Sequence, residues 1–319
     1  MNSPSVSNGW PINLDSIQNT LVNVALEAGH MITSASFSPS DTSTPGTKKN
    51  SADLVTATDR EVEQMISKTL NAKYPTFAFM GEETSQAGQK LTAVPTFIVD
   101  PIDGTTNFVH GYPYVSVSMG FAVDREPVIG VVYNPFTGEL YTGVKGRGSW
   151  KLDYSCAKKD SEPRPQKLPL RPARPLTVLS DALVAVEWGN DRSGSNWDCK
   201  VETWKRLGAA KEEGGAMIHS ARSLGSAALN LCAVAEGGID LYWEGGCWAW
   251  DVCAGWVVLS EAGGIIVDGN RPANKNEGWH IPVDHRSYLA VRASEGGKGQ
   301  REVVEEFWSF VVGKMEYEH

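Results

Sequence analysis

An α+β fold is expected for this 319-residue chain on three observations. Apolar residues recur at helical spacing near its start, a series of strand-like runs punctuated by Gly, Pro and Asn follows, and strand-like and helix-like segments alternate through the second half. At this length a single core is near its practical upper size, so one large layered domain or two apposed lobes should result. Hydrophobic residues at 41% and charged residues at 21% are ordinary globular usage, while 32 Gly and 17 Pro imply many tight turns, which excludes a coiled coil or a disordered chain.

Over residues 14–32, Leu14, Ile17, Leu21, Val24, Ala28 and Met31 lie three to four positions apart and make one stripe, so the chain opens with an amphipathic helix. Residues 34–46 change abruptly to Ser, Thr, Pro and Asp, a composition that cannot bury a core and reads as a loop running up to Lys48 and Lys49. Thr58-Asp59-Arg60-Glu61 is a capping-box pattern and starts a second helix carrying Val62, Met65, Ile66 and Leu70. Strands are expected at 96–99, 114–123, 128–133 and 139–144, the last two joined by a hairpin at Asn134, Pro135 and Gly138.

Residues 156–175 are rich in Pro, Lys and Arg and read as a surface excursion or a connection between lobes, which divides the chain into 1–152 and 153–319. Beyond it the expected order is a strand in 176–186, a helix near 197–207 and a strand at 216–219. A helix at 226–235, a strand at 239–243, a helix at 251–261 and a strand at 265–267 complete an α/β second half.

The charge sum is −9, so no general affinity for polyanions is expected and nucleic acid is a poor partner. A phosphorylated small molecule remains compatible, because metal ions can supply local positive charge. The five Cys are odd in number, scattered and free of CxxC pairs, which suits reduced thiols in a cytoplasmic protein. The first ten residues have neither a basic nor an apolar region of a targeting signal, and no apolar run approaches the roughly eighteen residues of a membrane span, so no membrane is expected.

The most informative segment is Asp100-Pro101-Ile102-Asp103-Gly104-Thr105-Thr106-Asn107-Phe108. An apolar strand should end at Asp100, where Pro101 stops the ladder and Gly104 permits a sharp turn, so two carboxylates converge at a strand end. Such a pair is a candidate site for a hard cation: magnesium takes one or two carboxylates plus water and phosphate oxygens. The same string can also make a plain β-turn. Glu82, in Gly81-Glu82-Glu83-Thr84, and Asp251, after Trp250 at the start of an apolar helix, are further acids, which alone would read as a solvated loop residue and a helix cap.

Together these segments resemble the inositol monophosphatase family of lithium-sensitive, magnesium-dependent phosphatases. The resemblance rests on Gly81-Glu82-Glu83-Thr84, on the run from Asp100 through Asn107-Phe108-Val109-His110-Gly111, on Trp250-Asp251-Val252 with Glu261-Ala262-Gly263-Gly264, and on the stretch Ser51-Ala52-Asp53 through Asp59. It implies an alternating α/β/α/β/α sandwich with the site between the lobes. The lobe 1–152 would carry most metal ligands, and 153–319 would carry Asp251 and the contacts to the substrate ring. It also implies a homodimer and a phosphate monoester as substrate, foremost myo-inositol monophosphate.

The resemblance further implies two or three magnesium ions. Glu82, Asp100 and the carbonyl of Ile102 would hold the first, whose water becomes the nucleophile, and Asp100, Asp103 and Asp251 the second, which stabilises the leaving oxygen. Thr105 would orient the attacking water and Asp59 would accept from Thr105. The N–H groups of Gly104 and Thr105, at the start of a helix, can take phosphate oxygens. Lys48 aligns with a family lysine on a loop near the metals, and a solvated lysine is an equal reading.

For the leaving alcohol, Glu244 falls where the family has an acid that accepts from ring hydroxyls, and Gly225, Ser226 and Ala227 fall where it meets the ring. Asp103 and Asp251 can serve both metal and substrate. Ser226 can also be a helix cap. Departures from the family pattern collect at 34–46, 156–175, 188–197 and around Trp248 and Trp250, away from the metal ligands. They leave open another sugar, nucleotide or quinate-pathway phosphate, or a non-catalytic phosphoinositol- or cation-binding protein. His110 reads as a turn or interface residue, and Trp243, Trp248, Trp250 and Trp256 as core or dimer contacts.

Overall fold

The computed structural model describes residues 12–36, 46–47, 54–86, 89–155, 163–274 and 276–318, with backbone alone at 46–47 and 54–55. Its elements run α1 (Leu14–Ser36), β1 (Gly46–Thr47), β2 (Leu54–Val55), α2 (Ala57–Lys73), β3 (Ala78–Gly81), β4 (Thr96–Asp103), α3 (Thr105–His110), β5 (Ser116–Val123), β6 (Glu126–Asn134), β7 (Glu139–Val144), β8 (Gly148–Asp153) and β9 (Gln166–Lys167). There follow β10 (Leu183–Val186), α4 (Ser195–Gly208), β11 (Ser220–Arg222), α5 (Ala227–Glu236), β12 (Leu241–Gly245), α6 (Ala249–Glu261), β13 (Ile265–Asp268), β14 (Ser287–Val291) and α7 (Gln300–Phe310).

Strands β3 to β9 form one sheet in chain order, parallel at β3 and β4 and antiparallel onward. A second sheet has the order β11-β10-β12-β14-β13, with β10 parallel to both neighbours. The period-two alternation of the strands assigns their faces. Phe97 and Val99 of β4 join Val117, Met119 and Phe121 of β5 under Leu21, Val24 and Ala28 of α1 and Val62 and Ile66 of α2. Ile98 faces the other way, into a core with Leu229 and Leu231 of α5, Val252 and Val258 of α6, and Tyr242 and Ala290 of the second sheet. Leu241, Trp243 and Leu289 leave that sheet on its far side, against Leu207 of α4 and Val303 and Phe307 of α7. The layers are therefore helix, sheet, helix, sheet, helix.

Both faces of each sheet are covered, which is why every residue of β4 and β5 is buried. Each large apolar side chain so buried contributes about 1.5–3 kcal/mol. The middle helix α6 comes close enough to the first sheet that Gly120 and Gly130 have no room for a side chain.

Several expected elements are corrected. The second helix is capped by Thr56, not Thr58: its side chain and Asp59 form the box. The strand of 176–186 shrinks to Leu183–Val186 behind a single 3-10 turn at Leu179–Asp181, and the one placed at 216–219 lies instead at Ser220–Arg222. The apolar strand does not stop at Asp100 but continues to Asp103. Within 156–175, residues 156–162 lie outside the described residues, and the rest is more than surface, since β9 adds a strand and Leu168 is buried. Of the expected loop at 34–46, residues 34–36 belong to α1 and Gly46 to β1, and residues 37–45 lie outside the described set, as do Lys48 and Asp53. No helix among the described residues is long and apolar enough to cross a membrane.

Candidate functional site

Two residues apart on β5, Ser118 and Ser116 pair with Asp100 and Asp103, three apart on β4. The extra residue is a bulge. In a regular strand positions i and i+3 point to opposite faces, so the bulge is what allows both carboxylates onto one side. Pro101 sits within it, where its missing N–H costs no ladder bond, and Asp100 Oδ1 accepts from the N–H of Ile102 at 2.9 Å. Gly104 follows in the left-handed region (φ 95°), with the carbonyl oxygens of Tyr114 and Gly225 too near for any side chain.

Asp103 is met by the start of α5. Its Oδ2 accepts from Ser226 Oγ at 2.5 Å and from the N–H of Ala228 at 2.8 Å, and Oδ1 accepts from the N–H of Ala227 at 3.2 Å. Ser226 Oγ accepts in turn from the N–H of Leu229, so it is both the cap of α5 and a donor to Asp103. Two of the three residues assigned to the substrate ring, Ser226 and Ala227, thus spend hydrogen bonds on Asp103.

Sequence reasoning missed Glu187, which organises this corner from the end of β10. Its Oε1 accepts from the N–H groups of Leu224 and Gly225 and from Asn230 Nδ2, and Oε2 from Ser223 Oγ, all at 2.7–2.9 Å. Asn107, quoted in the motif without a role, donates to the carbonyls of Tyr114 and Leu224 at 2.8 and 2.7 Å and ties α3 to the same loop. The available signal for Glu187 was an acid directly after an apolar strand. Glu63 was also missed: buried on α2, it accepts from the N–H of Glu83 at 2.8 Å and fixes the turn that presents Glu82. An acid beside Val62 on a buried helical stripe was its signal.

Glu82 leaves β3 with its N–H on the carbonyl of Val99 at 3.1 Å. Asp251 lies in the first turn of α6, with Oδ2 accepting from the N–H of Trp248 at 2.6 Å. Glu244 stands on β12 and accepts from the Tyr242 hydroxyl. Thr105 Oγ1 lies 3.2 Å from Asp59 Oδ1 and 3.1 Å from the carbonyl of Ile102, and its one proton serves one of them at a time. Asp59 is at once a capping residue and the acceptor for Thr105. His110 ends α3 exposed to solvent.

Glu82, Asp100, Ile102, Asp103, Gly104, Thr105, Gly225, Ser226, Ala227, Glu244 and Asp251 all line one cavity of about 470 Å³. Asp59 stands behind it, reached through Thr105. Trp243 is core, as expected, and Trp250 and Trp256 pack against the core; Trp248, with the exposed side of Trp250, lines a neighbouring cavity.

Burial raises the carboxyl of Asp100 well above the usual range, and the charges of Glu82, Asp103 and Asp251 add to it. Asp251 is raised likewise, by burial and then by Glu82 and Asp103. Burial pushes Asp103 up to about 6 against the opposing bonds from Ser226, Ala228 and Ala227, and Asp59 is raised by burial. Burial followed by the charge of Glu187 pushes Glu244 up to about 7.

Carboxylates crowded into one buried cavity are costly to ionise without a cation, and an all-oxygen donor set suits magnesium or a similarly hard ion. The donor chemistry therefore fits a metal. The side chains converge without closing a ligand cage: among the described residues no three acidic, His or Cys groups surround one point. Asp103 is turned to α5 and one oxygen each of Asp100 and Asp251 to a backbone N–H, while Asp100 also shares a hydrogen bond with Glu82.

The profile of the inositol monophosphatase family matches residues 13–309. Inositol monophosphatase 2 of Saccharomyces cerevisiae is 48% identical over 274 residues, covering 85% of this chain and 86% of its own. The quinic acid degradation cluster protein x of Neurospora crassa is 37% identical over 332 residues, covering 92% and 93%. Among solved structures, the inositol monophosphatase from Anabaena superposes with a TM-score of 0.70 at 25% identity, covering 95% of this chain and 98% of that one.

Proposed function

The chain belongs to the inositol monophosphatase family, and from that premise we propose that this phosphoric monoester hydrolase cleaves myo-inositol monophosphate to inositol and phosphate. The observation that carries the reading is one cavity lined by Glu82, Asp100, Asp103 and Asp251, with Thr105 bonded to Asp59 at its edge.

The family is metal-dependent, and here Glu82, Asp100, the carbonyl of Ile102, Asp103 and Asp251 would hold two or three magnesium ions, which supply Lewis acidity and an acidified water when bound. The remaining work falls to the chain. Thr105 Oγ1 accepts from the attacking water while donating to Asp59, so the water's lone pair is aimed at phosphorus. The N–H groups of Gly104 and Thr105 take phosphate oxygens. Glu244, with Asp103 and Asp251, accepts from hydroxyls of the leaving alcohol, and the backbone at Gly225, Ser226 and Ala227 closes the ring site. A buried hydroxyl left unpaired costs about 1–3 kcal/mol, so these acceptors select a polyol.

Purified protein should release phosphate from inositol monophosphate with magnesium, be inhibited by lithium, and lose activity on chelation. Asp103→Asn should fold and lose at least about 100-fold in kcat, on the scale of removing one electrostatic group from a reacting centre. Phosphate release at the wild-type rate by that variant overturns the metal assignment, and no release by wild type favours a binding protein.

A second reading, a quinate-pathway phosphate, is favoured by the similarity to the Neurospora crassa protein and by the aromatic residues Trp248 and Trp250 beside the site. A panel comparing inositol monophosphate with sugar, nucleotide and quinate-type phosphates separates the two. A division at about residue 152, a homodimer and a cytoplasmic location complete the proposal. Light scattering tests the second, and the four buried free cysteines among the described residues accord with the third.

A further inference from the structure

Beyond Glu244 the carboxylate cavity adjoins a second of about 490 Å³, and the two share Glu82, Gly189, Asn190, Glu244, Cys247 and Asp251. Part of its wall belongs to neither sheet. That part includes Tyr317, from the segment that follows α7.

That segment is held by side chains from α4 and from the chain beside β13 and β14, acting as a strand would. Buried Asn270 accepts from the N–H of Met315 at 2.7 Å and donates to its carbonyl at 3.0 Å. Asn196 makes the same two bonds to Glu316, at 2.8 and 2.9 Å, and Arg286 Nη1 donates to the carbonyl of Glu318 at 2.7 Å. Met315, 2% exposed, is the apolar anchor. Tyr317 is only half-buried, its ring against the two glycines after Glu244. A side chain on Gly245 would stand 2.8 Å from Tyr317 Cε2, and one on Gly246 3.2 Å from Cε1.

The glycines cannot retreat from that ring. Lys200 Nζ donates to the carbonyl of Gly245 at 2.7 Å, and Arg286 donates Nη2 to Gly246 and Nε to Cys247 at 2.9 and 2.8 Å. The Arg286 guanidinium lies 3.3 Å from the centre of the Trp248 ring, which fixes its plane. The loop after Glu244, the Arg286–Trp248 stack and the C-terminal segment are thus one rigid wall.

We propose that Tyr317 is a specificity-determining residue, its ring limiting the bulk of the leaving alcohol that can sit against Glu244. This rests on the reading of the chain as a phosphate monoester hydrolase. A polyol ring no larger than inositol is confined between Glu244 and the tyrosine, and a bulkier alcohol meets it.

The test compares wild type, Tyr317→Ala, Tyr317→Leu and Tyr317→Phe on myo-inositol 1-phosphate and 1-naphthyl phosphate with magnesium. Tyr317→Ala should raise KM for the inositol ester about five- to tenfold with kcat within about twofold, and raise kcat/KM for the naphthyl ester several-fold, the scale of a changed pocket contact. Tyr317→Phe should behave as wild type, and Tyr317→Leu should fall between, which keeps the result readable if the alanine variant is unstable. Parallel changes on both esters, no change on either, or a phenylalanine variant as impaired as the alanine one overturns the proposal. A wild type that releases phosphate from neither ester overturns the hydrolase reading instead.

Discussion

Glu244 is a glutamate placed where its charge is hard to keep. Burial and the neighbouring Glu187 push it from 4.5 to about 7, against the help of Lys200. Below pH 4.5 it is protonated whether the chain is folded or not. Between 4.5 and 7 the unfolded chain releases this proton first, so the folded state binds more protons and stability falls as pH rises through that window, then stays lower above it. The effect is at most about 3.5 kcal/mol, since each unit of pKa difference is about 1.4 kcal/mol. In chelator, thermal melts of the wild type should therefore drop from pH 5 to pH 7.5 by more than those of Glu244→Gln. Identical pH dependence in the two proteins would show that Glu244 is ionised without cost, and its role as an acceptor for ring hydroxyls would need no such strain.

The start of α5 is the element that holds Asp103 in position. Ser226 Oγ, Ala227 N–H and Ala228 N–H converge on its carboxylate, and Glu187 holds the preceding loop. Ser226→Ala removes a cap and one donor together, so a loss of about 1–2 kcal/mol is expected in denaturant unfolding. The magnesium concentration for half-maximal phosphate release should rise several-fold, because a carboxylate that has lost a donor is less well aimed. A stability loss with unchanged magnesium dependence would leave Ser226 as a cap only. This linkage could not be read from the sequence. The Asp100 and Asp103 pair was legible because strand and turn are local, while the bulge that carries the strand on to Asp103 was not, and Thr105 and Asp59 were reached through the family pattern. Glu187 and Glu63 act across long gaps in the chain, on backbone N–H groups that no spacing reveals. The capping box was misplaced by two residues because Thr58-Asp59-Arg60-Glu61 and Thr56-Ala57-Thr58-Asp59 offer the same chemistry, and only the direction of entry into α2 decides between them.

At the scale of the whole molecule the middle layer decides whether a site exists. Asp100 and Asp103 come from the first sheet and Asp251 from α6, so their meeting depends on how deeply α6 is seated. Apolar periodicity announced that helix but not its seat, and β14, paired with both β12 and β13, went unread because Ser287-Tyr288-Leu289-Ala290-Val291 is short and follows a loop with no regular pattern. The seat is set by glycines. A Cβ on Gly130 would stand 2.1 Å from the carbonyl oxygen of Ala254, and one on Gly120 2.4 Å from Cys253 Sγ. Backbone cannot yield as a flexible side chain does, so Gly130→Ala has to push α6 off the sheet. Overpacking of a well-filled core costs about 1–3 kcal/mol or more, and here the displaced helix also carries Asp251. Gly130→Ala should lower the unfolding free energy by at least about 2 kcal/mol and reduce kcat more than KM. Gly208, which ends α4 with open space where a side chain would go, is the control. Its replacement by Ala should leave activity intact and stability unchanged or raised by up to about 1 kcal/mol, since a helical Gly gives up more chain entropy than Ala. If Gly130→Ala proves as innocuous as Gly208→Ala, α6 has freedom to shift, and the position of Asp251 against the first sheet is not fixed by packing.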